Sequence, residues 1–285
     1  MTFRKLLPHP RWPLMGALLL ALNAAAQSPA APAAGVSARA DAIRKAGVLR
    51  VGVLGNPPWL AERPPGQSPN WYGPAWMVSE EYARLLGVKL QAVPVSHETK
   101  VPALALNQVD IAITPLTETP ERLKIIDYII LSSTSICMFG LQSNPKFANA
   151  KTVDDFNNPD VTIAYFTGGG EEAWIRKRFA NAKLRGVSSS GGAAPVEEIT
   201  GRRADVVPIN RVPWVVLNNK VKGLGVLPKE NNCQDSKEFA NPIGIAIDKN
   251  QAPLLEWMRA VQKAIAPQLK AEEQRVVDAM IATSK

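Results

Sequence analysis

Residues 114–127 read TPLTETPERLKIID and follow the apolar run VDIAI, 109–113. Thr119, Pro120 and Glu121 have the order of a helix start: a hydroxyl to cap, a proline for the first position, a carboxylate for the positive end. Arg122 sits badly there, because a cation near a helix N-terminus meets free N–H groups and partial positive charge. An arginine in that place is either a solvated surface group or half of an anion site, in which its planar fork and nearby amides hold a carboxylate. TGGGEE, 167–172, offers a second anion cradle. It is a glycine turn that leaves the next helix's amides outward, unless Glu171 and Glu172 satisfy them first. It is neither a dinucleotide fingerprint nor a P-loop, and no cofactor is expected.

Other chemistries lack their residues. Of two histidines, His9 lies in an N-terminal apolar leader, so His97 alone remains, and neither cysteine belongs to a CxxC pair. A histidine zinc site is therefore not expected, and no metal is assigned. A Ser-His-Asp hydrolase would need His97 and a nucleophile elbow that the chain does not contain. Without dense basic clusters interleaved with aromatics, nucleic acid is not an expected partner. The overall charge of +8 falls once Arg4, Lys5 and Arg11 are set aside, leaving 30 basic residues against 25 acidic.

Those three cations, the short apolar core Trp12–Leu22 and Ala24-Ala25-Ala26 make residues 1–26 a secretory signal peptide, too short in its core to span a bilayer. Residues 27–39 are Pro/Ala-rich and read as a flexible leader. Export permits a disulfide between Cys137 and Cys233, with two buried thiols as the alternative. From about Ala40 onward, strand-length apolar runs alternate with helical patterns: VLRVGVL (48–54), WMVSEEYARLLG (76–87), VKLQAVPV (88–95), VDIAI (109–113), STSICMFGL (133–141), VTIAYF (161–166), EEAWIRKRFAN (171–181), ADVVPI (204–209) and GIAI (244–247). This is the signature of an α/β fold with largely parallel sheets. Trp59, His97, Thr117 with Arg122, Gly168–Gly170 and Asn210 each follow a strand, at the end where open α/β sheets bind ligands.

On these residues the chain resembles the extracellular solute-binding proteins of family 3, receptors that feed ABC importers of polar amino acids. The stretches that carry the likeness are IRKAGVLRVGVLGNPPW, EEYARLLGVKL, VPALALNQVDIAITPLTETPERLKIIDY, VTIAYFTGGGEEAWI, GRRADVV and NPIGIAIDKN. The resemblance implies a type II periplasmic binding fold, two α/β lobes joined by two crossover strands: 40–138 and 240–285 in the first, 139–239 in the second. It implies a monomeric periplasmic receptor, not an enzyme, that docks transiently on a membrane permease. Arg122 would grip a ligand carboxylate, with Thr117 and the backbone at Pro115 beside it and the amides of Gly169 and Gly170 completing the cradle. His97 and Trp59 would face the ligand. Asn210 stands where such receptors usually place an aspartate for the ligand ammonium, so an organic acid fits as well as an amino acid. The alternative is an enzyme on this fold similar to the cyclohexadienyl dehydratases, with Glu98, Glu118 and Glu171 as candidate acids.

Overall fold

The computed structural model describes residues 28–188, 194–212 and 214–283; the expected signal peptide lies outside them. The alternating runs become two five-stranded sheets. The chain opens with α1 (Ala38–Ala46), whose Ser37 Oγ accepts from the Ala40 amide at 3.2 Å. There follow β1 (Val48–Val53), a small hairpin of β2 (Ala61–Glu62) and β3 (Trp71–Tyr72), α2 (Pro74–Leu86), β4 (Lys89–Pro94), α3 (Pro102–Ala105), β5 (Ile111–Thr117) and β6 (Ile126–Thr134). The second lobe holds β7 (Ile136–Leu141), α4 (Pro145–Ala148), β8 (Thr162–Phe166), α5 (Glu172–Arg178), β9 (Lys183–Val187), α6 (Ala194–Thr200), β10 (Val206–Asn210), α7 (Trp214–Lys220) and β11 (Leu224–Leu227). The chain returns through β12 (Asn241–Asp248) and ends in α8 (Ala252–Ala264) and α9 (Ala266–Ala282).

Strand order is β4-β1-β5-β12-β6 in the first sheet and β11-β7-β10-β8-β9 in the second. The sheets are mixed, and the expectation of largely parallel pairing is corrected. β1 runs parallel to β4 and β5, and β8 to β9 and β10. The strands at the crossings run the other way: β12 is antiparallel to β5 and β6, and β7 to β10 and β11. An apolar run reports burial but not strand direction. The run STSICMFGL also divides at Ser135, its first residues closing β6 and the rest forming β7. The outward crossing is thus at Ser135, and β7 belongs wholly to the second sheet.

Each lobe has its own core. Val51, Ile111, Tyr82 and Met258 are buried in the first, where Tyr82 packs on Trp257 at 5.5 Å between ring centres. Phe147, Phe156 and Phe179 are buried in the second. Cys137 and Cys233 are joined, with Cα atoms 6.0 Å apart, which settles the alternative left open by the sequence. The leader also differs from expectation. Pro29 O accepts from Trp257 Nε1 at 3.1 Å, Ser28 Oγ donates to Glu81 Oε1 at 2.7 Å, and Ala31 packs on the first core. Its small side chains let the backbone lie flat on the lobe, where the indole satisfies the Pro29 carbonyl and the Glu81 carboxylate the Ser28 hydroxyl.

Candidate functional site

β5 carries the chain to the lobe boundary and ends at Thr117. Thr119 then caps: its Oγ1 accepts from the Arg122 amide at 3.3 Å and its carbonyl from the Leu123 amide at 2.9 Å. The helix expected here is only one 3-10 turn, Arg122–Lys124, because β6 starts at Ile126. So short a turn has little dipole, and the apparent conflict at Arg122 disappears. Its guanidinium is free to bridge the lobes. Nη1 donates to Thr117 O at 3.0 Å and Nη2 donates to Gly168 O, in the other lobe, at 3.1 Å.

The glycine loop closes on it. Gly168 has φ +74°, and a Cβ there would lie 2.9 Å from both Glu98 Cα and His97 O. At Gly170 a Cβ would lie 3.0 Å from Arg122 Nη1 and 3.1 Å from Thr117 Cβ. The glycines thus serve close approach between lobes more than amide presentation. Gly168 N–H donates to Glu172 Oε2 at 2.8 Å and Gly169 N–H to Phe166 O at 3.0 Å. The expected amide cradle is therefore corrected at Gly169: its amide closes the turn, and it does not line the cavity.

Between the lobes lies a cavity of about 370 Å³. Pro115, Thr117, Arg122, His97, Gly170 and Asn210 line it, so six of the eight expected residues meet at one place. Trp59 does not. It is fully buried in the first lobe, where Nε1 donates to Glu273 Oε1 on α9 at 3.1 Å. Its loop does reach the cavity, through Gly55, Asn56 and Pro57. Leu60 N–H bonds back to Asn56 O at 3.1 Å, and that turn sends the indole inward. The apolar part of the wall is made by Ile136, Phe166, Ile209, Leu217, Ile243 and Met280. Asn210 ends β10, and its Oδ1 accepts from Thr134 Oγ1, across the crossing, at 3.4 Å.

His97 stacks on Phe166, ring centres 4.2 Å apart and planes 20° apart. Burial, then the charges of Lys100 and Arg122, pull its pKa down to about 3, so the imidazole is neutral. Lys100, which the sequence reading passed over, is buried behind it with Nζ 3.2 Å from His97 Nδ1, and it lines the cavity. Burial, then Arg122, lowers Lys100 to about 7, while Glu171 pulls the other way. The spacing His97-x-x-Lys100, one helical turn, is the signal that could have found it.

Of the three candidate acids, only Glu171 lines the cavity, with its carboxylate folded over Gly169 and its pKa raised by burial. Glu98 is exposed and accepts from Ser188 Oγ at 2.6 Å, a further contact between lobes. Among the described residues no group of three His, Cys, Asp or Glu could hold a metal, and no helix is long and apolar enough to cross a membrane.

The family of bacterial extracellular solute-binding proteins, family 3, matches residues 49–282. The L-cystine-binding protein of Escherichia coli is 25% identical over 233 residues, covering 80% of each chain. Among solved structures, an ancestral amino acid-binding protein described as a precursor of cyclohexadienyl dehydratase aligns with TM-score 0.69 and 24% identity, over 85% of this chain and 99% of its own. A mutant of the T. maritima protein ArgBP aligns with TM-score 0.69 and 22% identity, over 86% and 99%. These likenesses establish two-lobed type II periplasmic binding architecture.

Proposed function

The chain belongs to the bacterial extracellular solute-binding proteins of family 3, and on that premise we propose that it is a periplasmic receptor. It captures a small carboxylate-bearing solute between its lobes and delivers it to an ABC import permease, acting as a monomer exported by its signal peptide. One observation carries the ligand class: Arg122 spans the cleft from Thr117 O to Gly168 O with its fork on the cavity wall. A carboxylate in that fork, beside the Thr117 hydroxyl, gains charge-assisted bonds in a place shielded from water. It also draws the lobes together, since the same guanidinium already holds both. The E. coli relative is named for cystine, an amino acid, which supports a solute of that size.

The test is calorimetric titration of residues 27–285 and of Arg122→Ala against a panel of amino acids and organic acids. Losing charge-assisted bonds of about 1.5–3 kcal/mol weakens a carboxylate ligand by roughly 10- to 150-fold. Unchanged affinity would end this reading. Glu171 favours a second one. A cavity carboxyl whose pKa is raised by burial holds its proton to higher pH than a free glutamate and is placed to protonate a leaving hydroxyl, as a dehydratase requires. Product formation from prephenate, lost in Glu171→Gln, would identify the enzyme; intact substrate after prolonged incubation identifies the receptor.

A further inference from the structure

We propose that Lys100 is a second anion-binding group of this cleft, and that the solute is a dicarboxylate without an ammonium group. The inference rests on the receptor reading and names its ligand class. Lys100 is only 4% exposed. Its Nζ has three donors and, among the described residues, one hydrogen-bond partner, the ring nitrogen of a neutral His97 at 3.2 Å. No carboxylate lies within ion-pair reach of it among the described residues. A buried ammonium left this way is costly unless an anion arrives to complete its shell.

The cavity's charges point the same way. Lys100 and Lys220 stand with Arg122 on its wall, against Glu171 as the one carboxylate there among the described residues. With Glu171 shared between Lys100 and Arg122, a single ligand carboxylate still leaves the three wall cations one negative charge short. A ligand ammonium would add another cation, and at the place expected to receive it stands the neutral amide of Asn210, beside the Thr134 hydroxyl. A second carboxylate resolves both difficulties. Between the cations, Ile136, Phe166, Ile209 and Ile243 provide an apolar wall for a methylene chain.

Protonation gives an independent readout. The groups facing Lys100 are His97 from its own loop, Arg122 from the turn after β5 and Glu171 from the glycine loop. Burial holds free Lys100 near 7, so above that pH a bound carboxylate restores its proton and binding takes one up. Affinity then falls as pH rises from about 7 towards 9.

Calorimetry of residues 27–285 with glutarate, adipate and suberate, against hexanoate, glutamate, arginine and cystine, tests the proposal. At least one dicarboxylate is expected to bind roughly tenfold or more tighter than hexanoate, and glutarate tighter than glutamate. Lys100→Met should remove the advantage over hexanoate. At pH 8, titrations in two buffers of different ionisation enthalpy should show proton uptake that Lys100→Met abolishes and Glu171→Gln retains. The uptake itself is read on the unaltered chain, so its absence there counts against the proposal whether or not a variant folds. Preference for an amino acid, or a dicarboxylate advantage that survives Lys100→Met, overturns the inference. If those amino acids still depend on Arg122, the receptor reading stands without it. If no carboxylate binds, or none responds to Arg122→Ala, both readings fall.

Discussion

Gly168→Ala isolates the closure of the lobes from their stability. The new methyl would sit 2.9 Å from Glu98 Cα and from His97 O, and 3.1 Å from Glu98 N. All three are backbone atoms of the opposite lobe, so no side chain can swing aside. The lobes must separate by several tenths of an ångström, which strains the Arg122 bond to Gly168 O at 3.1 Å. Overpacking of this kind costs about 1–3 kcal/mol, felt only when the lobes meet, and so weakens a closure-dependent ligand roughly 5- to 150-fold. The positive φ of +74° adds about 1 kcal/mol in the open and closed forms alike, lowering thermal stability without affecting Kd. Gly66→Ala is the control, with φ +89° and nothing within 4 Å of its Cβ. Titration of both variants with the best ligand, alongside their ligand-free melting temperatures, separates the two effects. If Gly168→Ala binds as the parent does, or if Gly66→Ala loses affinity equally, the glycine does not serve approach of the lobes.

Trp59→Phe should leave ligand affinity unchanged and cost about 1–3 kcal/mol through the lost bond to Glu273, a fall of about 2–4 °C in Tm per kcal/mol. Weaker binding would return Trp59 to the cleft. His97 is neutral in the fold down to about pH 3, whereas its ordinary value is 6.5. Between those values the unfolded chain binds the extra proton, so stability falls as pH drops, by up to about 1.4 kcal/mol per unit. Urea melts at pH 7 and 4.5 should show His97→Asn losing part of that dependence, and equal slopes would refute it. Replacing both Cys137 and Cys233 with alanine should cost about 2–5 kcal/mol, since the bridge spans 96 residues of sequence; a Tm within 2 °C of the parent's would contradict this.

What the sequence made legible was the position of site residues along the chain. Thr117, Arg122, His97 and Asn210 are all just past strand ends, and strand ends converge in this architecture. Side-chain direction was not legible. Trp59 is at the right loop, but one turn of backbone points it at α9 and leaves Asn56 and Pro57 on the cavity. Lys100 was missed because a lysine before a short helix reads as solvated surface, and only packing behind the His97–Phe166 stack buries it. The leader's role depends on Trp257, 228 positions away, a partnership no local pattern encodes. The reversal of β12 against β5 and β6 likewise arises from the return crossing and not from its own apolar run.

The crossings themselves have an architectural consequence. Thr134 and Asn241 are antiparallel partners across β6 and β12, and everything between them belongs to the second lobe. That lobe is one uninterrupted insert, with Cys137 and Cys233 stapled near its entry and exit. Deleting it and joining Thr134 to Asn241 through an Asn-Gly turn would convert the two hinge strands into an ordinary hairpin. The remaining half would be a free-standing scaffold carrying Arg122, Thr117, His97 and Lys100 on an open face. The pair of lobes is thus divisible at one junction of two neighbouring strands, into a half that presents Arg122 and Lys100 and a half that brings Glu171 and Lys220 over them.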